Sequence, residues 1–315
     1  MQLPSDAVSN TARTGLFVAL GLVTVYFLFV FIRAVRERAA AGDDVRPRGP
    51  ISIISFIANF FDTLGIGSFA TTTSMVRQWR LVPDEKLPGT LNIGYVLPTI
   101  AQAFLFTNSV PVETRTLLLM IAAAVVGAWI GAPIVAAWPR RKIQIGLGLA
   151  LLIFATIMTL SQPQVGLLPV GGNALALSGT KLALGLFGNF VLGALMTLGI
   201  GLYAPCMILI YMLGMTPAAA FPIMMGSCAF LMPVASSRFL KVPTSFESKA
   251  IVGMALAAVP AVFVAWSFFS NLNMTAVKWL VVVVVTYAAV NLLRAARRER
   301  AADAGATAAE VAASA

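Results

Sequence analysis

Between Gly15 and Leu293 the sequence is a succession of apolar runs close to the length that a bilayer demands. They occupy residues 15–32, 51–76, 89–106, 116–138, 143–160, 182–213, 218–236, 250–270 and 276–293. A spanning helix needs about 17–25 mostly apolar residues, so each run is long enough to cross or enter a membrane. Hydrophobic residues make up 59% of the 315 and charged residues 11%. A soluble domain carries about 25% charge. The pattern predicts an all-α polytopic membrane protein. It excludes an ordinary cytosolic enzyme, a disordered chain and a disulfide scaffold.

The net charge of +10 suggests nucleic acid only until the basic residues are located. They flank the apolar runs, which is membrane topology rather than a nucleic-acid footprint. There is no histidine, so the commonest metal ligand and neutral-pH general base are absent. Cys206 and Cys228 both lie in apolar stretches, at no spacing suited to zinc or a disulfide framework. The first run is too long for a signal peptide and its basic cluster follows it, so it reads as a retained helix. No cofactor and no resident metal are expected. Membrane lipid is the surrounding partner.

The chain repeats itself. Thr63-Leu64-Gly65-Ile66-Gly67 recurs as Thr197-Leu198-Gly199-Ile200-Gly201, 134 residues on. Ala70 and Ala204, Pro83 and Pro217, and Pro88 and Pro222 keep that shift, and Val110-Pro111 matches Val242-Pro243 at 132. Residues 1–50 then hold a leading helix and a basic linker from Arg33 to Pro50. Residues 51–160 and 182–293 are two copies of one unit, 161–181 join them, and 294–315 form an Ala-rich cytosolic tail. Internal repeats are a common plan for transporters.

Basic residues orient the chain. If each TLGIG segment spans, the repeats are parallel and eight Lys and Arg lie outside. If each enters and returns on one side, each unit has three crossings and the second is upside down. The cytosolic side then holds 18 of the 22, leaving Arg13, Arg115, Lys181 and Lys278 outside. The second arrangement is expected. It gives seven full crossings, two re-entrant hairpins entering from opposite faces, an outside N-terminus and a cytosolic C-terminus.

Glycine pairs at Gly65/Gly67 and Gly199/Gly201 interrupt apolar helices. Irregular backbone at membrane depth is tolerated where it is buried in protein or lines a cavity. A helix starting after such a break points free N–H groups and partial positive charge at the midplane, which suits an anion. For one pair alone, close helix packing is the simpler reading; the recurrence favours a site. Ser68 and Thr71 follow the first break and Tyr203 the second, with Thr63, Thr197 and Asn92 as further candidates for binding substrate. Asp62 is the one acid deep in an apolar run, about 17 Å from Ile51 if helical. A carboxylate there is costly and functional by default. It reads either as a proton-coupling or gating group or as an acid that hydrogen-bonds broken backbone. Its counterpart at the same shift is Met196. Asn59, Asn189, Gln102, Ser227 and Cys228 either line a pathway or bind a neighbouring helix. The methionines of the second unit suggest soft-metal conduction but are also ordinary apolar filler.

These residues also carry a resemblance. The Gly-rich first segment, VPDEKLPGTLNIG from Val82, and GAWIGAPIVAAWPRRKIQIGLGLALLIFA from Gly127 resemble the sulfite exporter TauE/SafE family of bacterial inner-membrane permeases. The resemblance covers roughly residues 51–293. The chain departs from it in a thinner Gly run beside Asp62 and Thr63, and in the extra leading helix. The family implies movement of sulfite, sulfonates or organic acids. Alternating access by an inverted-repeat permease is therefore expected, with an uncoupled anion channel or a Cu(I)-type transporter as alternatives. An enzyme is not expected, because one buried carboxylate without histidine leaves no acid–base pair.

Overall fold

The structure, a computed structural model, describes residues 6–131, 134, 139–162, 165, 167, 172–197 and 201–314. Its elements are helical. In chain order they are α1 (Asp6–Ala40), α2 (Gly49–Thr63), α3 (Ser68–Gln78), α4 (Leu87–Gly94), α5 (Val96–Ser109) and α6 (Thr114–Val126), which runs into a π-helical turn (Gly127–Gly131). Then come α7 (Arg140–Leu160), α8 (Gly179–Met196), α9 (Tyr203–Met212), α10 (Ala220–Leu240), α11 (Ser248–Phe269) and α12 (Met274–Ser314).

Eight helical stretches among the described residues are long and apolar enough to cross a membrane. Seven crossings were expected. The eighth is α8, whose 18 residues span about 27 Å at 1.5 Å per residue. One boundary also moves. Arg33 to Arg38 belong to α1, where Arg33 pairs with Glu37 one turn on, so the linker shrinks to residues 41–48. The run 182–213 is broken into α8 and α9, as its glycine pair predicts.

The spans holding α4–α5 and α10 are the most enclosed, each 78% buried against 44% or less for the other candidate spans. They pack on one another at the centre, with Phe106 stacked on Phe221 at 5.0 Å. Around them, α2 lies along α11, α8 along α6, and α7 along α12. The α6–α8 crossing is set by glycine. A methyl group at Gly127 would strike the Phe190 backbone, and one at Gly193 the Ala124 backbone. Small residues that let helix backbones touch are the usual adhesive where lipid offers no hydrophobic drive.

Two helical hairpins stand inside this frame. Arg48, just before α2, donates from Nη1 to the Leu81 carbonyl just after α3, at 3.4 Å. Had α3 continued the direction of α2, those ends would be separated by about 40 Å of helix. Ala174, ahead of α8, exchanges backbone hydrogen bonds with Gly214 and Thr216, just beyond α9, at 3.2 and 3.0 Å. So α3 returns toward the start of α2, and α9 toward the start of α8. The first hairpin opens at the end of the bundle where Arg38 binds Asp43 and Lys86 binds Glu247. The second opens at the other end, where Arg13 binds the Thr107 carbonyl and the Glu113 N–H donates to Leu175.

The inward face of α2 explains its place. Ile51, Ile54, Ser55, Ala58, Asn59, Asp62 and Thr63 are buried at three- and four-residue spacing, whereas Ile53, Phe56, Ile57 and Phe61 are exposed. Asn59, Asp62 and Thr63 turn into protein, and the face turned outward is apolar. That is the arrangement expected of a helix whose solvent is lipid.

Candidate functional site

The first hairpin turns because α2 ends in a Schellman motif. Gly65 N–H donates to the Asp62 carbonyl at 2.8 Å, and Ile66 N–H to the Phe61 carbonyl at 3.0 Å. The motif places Gly65 at φ +99°, a left-handed value that glycine reaches without strain. A side chain there would also run into Met207 of α9. Gly67, at φ +86°, then aims the chain into α3.

This turn brings Asp62 to the start of α3. Its Oδ1 accepts the N–H of Ser68, the first residue of that helix, at 2.5 Å. Its Oδ2 accepts Gln102 Nε2 at 2.9 Å. The helix N-terminus, with its unpaired N–H groups and partial positive charge, therefore already faces a resident carboxylate. Gln102 Nε2 also donates to Thr63 Oγ1 at 3.0 Å, while Thr63 donates to the Asn59 carbonyl at 2.8 Å. On its other side Gln102 Oε1 accepts the hydroxyl of Tyr203 at 2.9 Å. Tyr203 is the first residue of α9, the returning arm of the second hairpin. Both hairpins thus meet at one amide side chain of α5. All five side chains are buried.

A second polar group lies about two turns nearer the start of α2. Thr72 and Tyr95 share a hydroxyl hydrogen bond of 2.6 Å, and Tyr95 donates to Ser55 Oγ at 3.3 Å. Asn59 gives its amide to the Ser55 carbonyl, and Asn189 gives its own to the Met120 carbonyl and Ser227. The side-chain carbonyls of both asparagines are buried without a donor among the described residues. Met196, the counterpart of Asp62, accepts the Cys228 thiol at 3.3 Å. Where the first unit has an acid bound by an amide, the second has at the matching position a thioether bound by a thiol.

Of the candidates named from sequence, the structure joins Asp62, Thr63, Ser68 and Tyr203 in one hydrogen-bonded cluster, with Gly65 and Gly67 shaping it. Thr71 lies one turn into α3, donating to the Gly67 carbonyl and 3.5 Å from the Tyr287 hydroxyl of α12. Asn92 is buried in α4 but gives its amide to the Pro88 carbonyl. Thr197 caps back onto Ala194, and Gly201 is exposed. Gly199, with Leu198 and Ile200, lies outside the described residues. Gln102 was legible only as one polar residue among several; its signal is an uncharged amide amid apolar neighbours. Thr72 was legible as one of the small polar residues after the first break; Tyr95 had no signal of its own. Among the described residues no three His, Cys, Asp or Glu side chains gather as metal ligands would.

A bundle of apolar spans around two broken helical hairpins, with a buried polar cluster at the first break, has the build of a membrane transporter. Residues 3–158 match the family model described as sulfite exporter TauE/SafE, and over that stretch the chain belongs to the TauE/SafE family of membrane transporters. The match opens ahead of α1, so the leading helix lies within the family's span and is not an addition to it. No curated protein and no solved structure matches the chain.

Proposed function

We propose that this transporter is a secondary permease of the bacterial inner membrane for a small anion, either sulfite, a sulfonate or another organosulfur or organic acid. Its units, 51–160 and 182–293, are inverted repeats that rock against each other in alternating access. Supporting this reading, the hairpins open at opposite ends, and the helix exchange is reciprocal. The entering arm α2 packs on α11 of the other unit, and the entering arm α8 on α6 of the first. The basic end, with Arg38, Arg48 and Lys86, is cytosolic by the positive-inside rule, which leaves the N-terminus outside and the C-terminus inside.

One observation carries the mechanism: Asp62 occupies the start of α3. A carboxylate and a substrate anion cannot share one helix N-terminus in a water-poor interior, because like charges at such separations repel strongly. A proton on Asp62 removes its charge and weakens its hold on the Ser68 N–H. The substrate then takes over the Ser68 donor at the start of α3. Proton and anion are carried together, and Asp62 recovers the helix end when both have left.

The test is a thermal-stabilisation screen of purified protein against sulfite, thiosulfate, sulfoacetate and simple carboxylates. A ligand that binds only the native state raises the melting temperature as its concentration passes Kd. Stabilisation by one of these anions, greater at acid pH, is expected. Equal stabilisation by all salts of the same ionic strength counts against the reading.

A further inference from the structure

We infer that Gln102 is a positioning residue that carries the protonation state of Asp62 in the first hairpin to Tyr203 in the second, by reversing its amide. Among the described residues it is the side chain whose hydrogen bonds reach both hairpins. The inference rests on the reading of Asp62 as the coupling acid.

The chemistry of the partners fixes the amide's present orientation. An ionised carboxylate only accepts, so Gln102 must turn its NH2 toward Asp62. That leaves Oε1 for the opposite side, where it accepts the Tyr203 hydroxyl. Tyr203 is therefore held as a donor toward Gln102. When Asp62 takes a proton on Oδ2, that oxygen becomes a donor and faces the NH2 group, donor to donor. Rotation of the amide by about 180° relieves the conflict: Oε1 now accepts from Asp62, and Nε2 faces Tyr203. Tyr203 must then accept, and its own hydrogen turns to Thr99, a side chain with which it already interacts. No proton passes through Gln102. What changes is the polarity presented at the first residue of α9, and with it the donor set that the second hairpin offers to an anion.

Few other groups confuse the response. The titratable side chains that sense Asp62 electrostatically are Tyr95 at the α4–α5 junction, Tyr203 of α9 and Cys228 of α10, with Cys206 of α9 near Cys228. Tyr287 of α12 reaches only as far as Thr71. α11, packed along α2, brings one charged residue, Lys249, bound to Asp44 at the end of the bundle.

The experiment is a pH-difference infrared titration of the full-length protein. The Asp62 carboxylic-acid band is assigned by its loss in Asp62→Asn, and the Tyr203 band by its loss in Tyr203→Phe. In the wild type the two bands are expected to change together through one midpoint. In Gln102→Met and in Gln102→Leu the carboxyl band is expected to titrate while the Tyr203 band stays fixed. A Tyr203 band that still follows pH in either variant overturns the relay. So does a wild-type carboxyl band that titrates while Tyr203 stays still, a result that needs no Gln102 variant. In both cases the coupling role of Asp62 survives. Absence of any titrating carboxyl band overturns that role and the relay with it. Anion-induced stabilisation of the same samples reports on substrate binding separately.

Discussion

The Lys86 ammonium lies 3.1 Å from the Glu247 carboxylate and ties the first unit to the second at the arginine-rich end. Both side chains are partly buried, and the joint is tight around them. Glu247 N–H donates to Thr90 Oγ1 at 2.9 Å, and Gly89 has its α-carbon against the Ser245 carbonyl with no space for a methyl group. If the units rock, this joint must part on one side of the cycle. A partly exposed pair contributes about 1 kcal/mol or less, so it biases a conformational equilibrium without dominating the fold. Glu247→Gln is expected to raise thiol labelling of a Gly67→Cys probe several-fold from that end, with little change in melting temperature. The exchange Lys86→Glu with Glu247→Lys is expected to restore slow labelling.

Asp62→Asn keeps the size of the side chain and one acceptor for Ser68. It removes the charge from two charge-assisted hydrogen bonds, which are worth about 1.5–3 kcal/mol each in buried settings. An asparagine NH2 also turns the Gln102 amide around, as protonation does. The variant is expected to fold and to bind the anion at acid and neutral pH alike. Transport in proteoliposomes is expected to lose its dependence on the proton gradient. Unaltered gradient dependence in that flux assay argues against Asp62 as the coupling group.

The turn makes a sharper stability test, since its two glycines differ in surroundings. Both have positive φ, but a methyl group at Gly65 meets Met207, and one at Gly67 meets open space. Gly67→Ala pays mainly the left-handed backbone penalty of about 1–2 kcal/mol. Gly65→Ala adds displacement of a buried methionine, in the range of about 1–3 kcal/mol for overpacking. Thermal melts in detergent should rank Gly65→Ala well below Gly67→Ala, and both below wild type.

The same logic applies at the α6–α8 crossing, where the obstacle is backbone. Gly127→Ala and Gly193→Ala drive a methyl group into a neighbouring helix's main chain, which cannot swing aside. Gly146→Ala, on α7, meets nothing within 4 Å. The first two are expected to lower yield and melting temperature sharply. Gly146→Ala should be neutral or slightly favourable, because alanine is the better helix former by about 1 kcal/mol.

The sequence disclosed the apolar spans because lipid imposes length and composition on them directly. It disclosed the breaks because Gly65 and Gly67 sit where an apolar helix has no other reason for them. Asp62 stood out by the cost of its charge. What stayed hidden depends on contacts between distant segments. Gln102 acquires its role only when α5 is laid between the two hairpins, bringing Tyr203 to an amide 101 residues earlier in the chain. Nothing local marks Asn92, a polar residue of the same helical run, as different, yet its amide is spent on Pro88. Nor does composition reveal that the start of α3 is filled by the chain's own carboxylate, since that follows from the Schellman turn bending Asp62 back toward Ser68.

The disposition of the two hairpins admits a direct test. Arg77 closes the first hairpin near α3's end, and Ala218 follows the second just beyond α9. The Arg48–Leu81 and Ala174–Thr216 hydrogen bonds put those positions at opposite ends of the bundle. Single cysteines at Arg77 and Ala218, each made after Cys206 and Cys228 are replaced by serine, are expected to react with a membrane-impermeant maleimide from opposite faces. Arg77→Cys should label only in inside-out vesicles. Ala218 is largely buried, so its cysteine should label slowly, and only in intact cells. Reaction of both from one face means that the hairpins enter together. Without opposed entry, a single rocking motion has no second gate to open, and alternating access between inverted units fails with it.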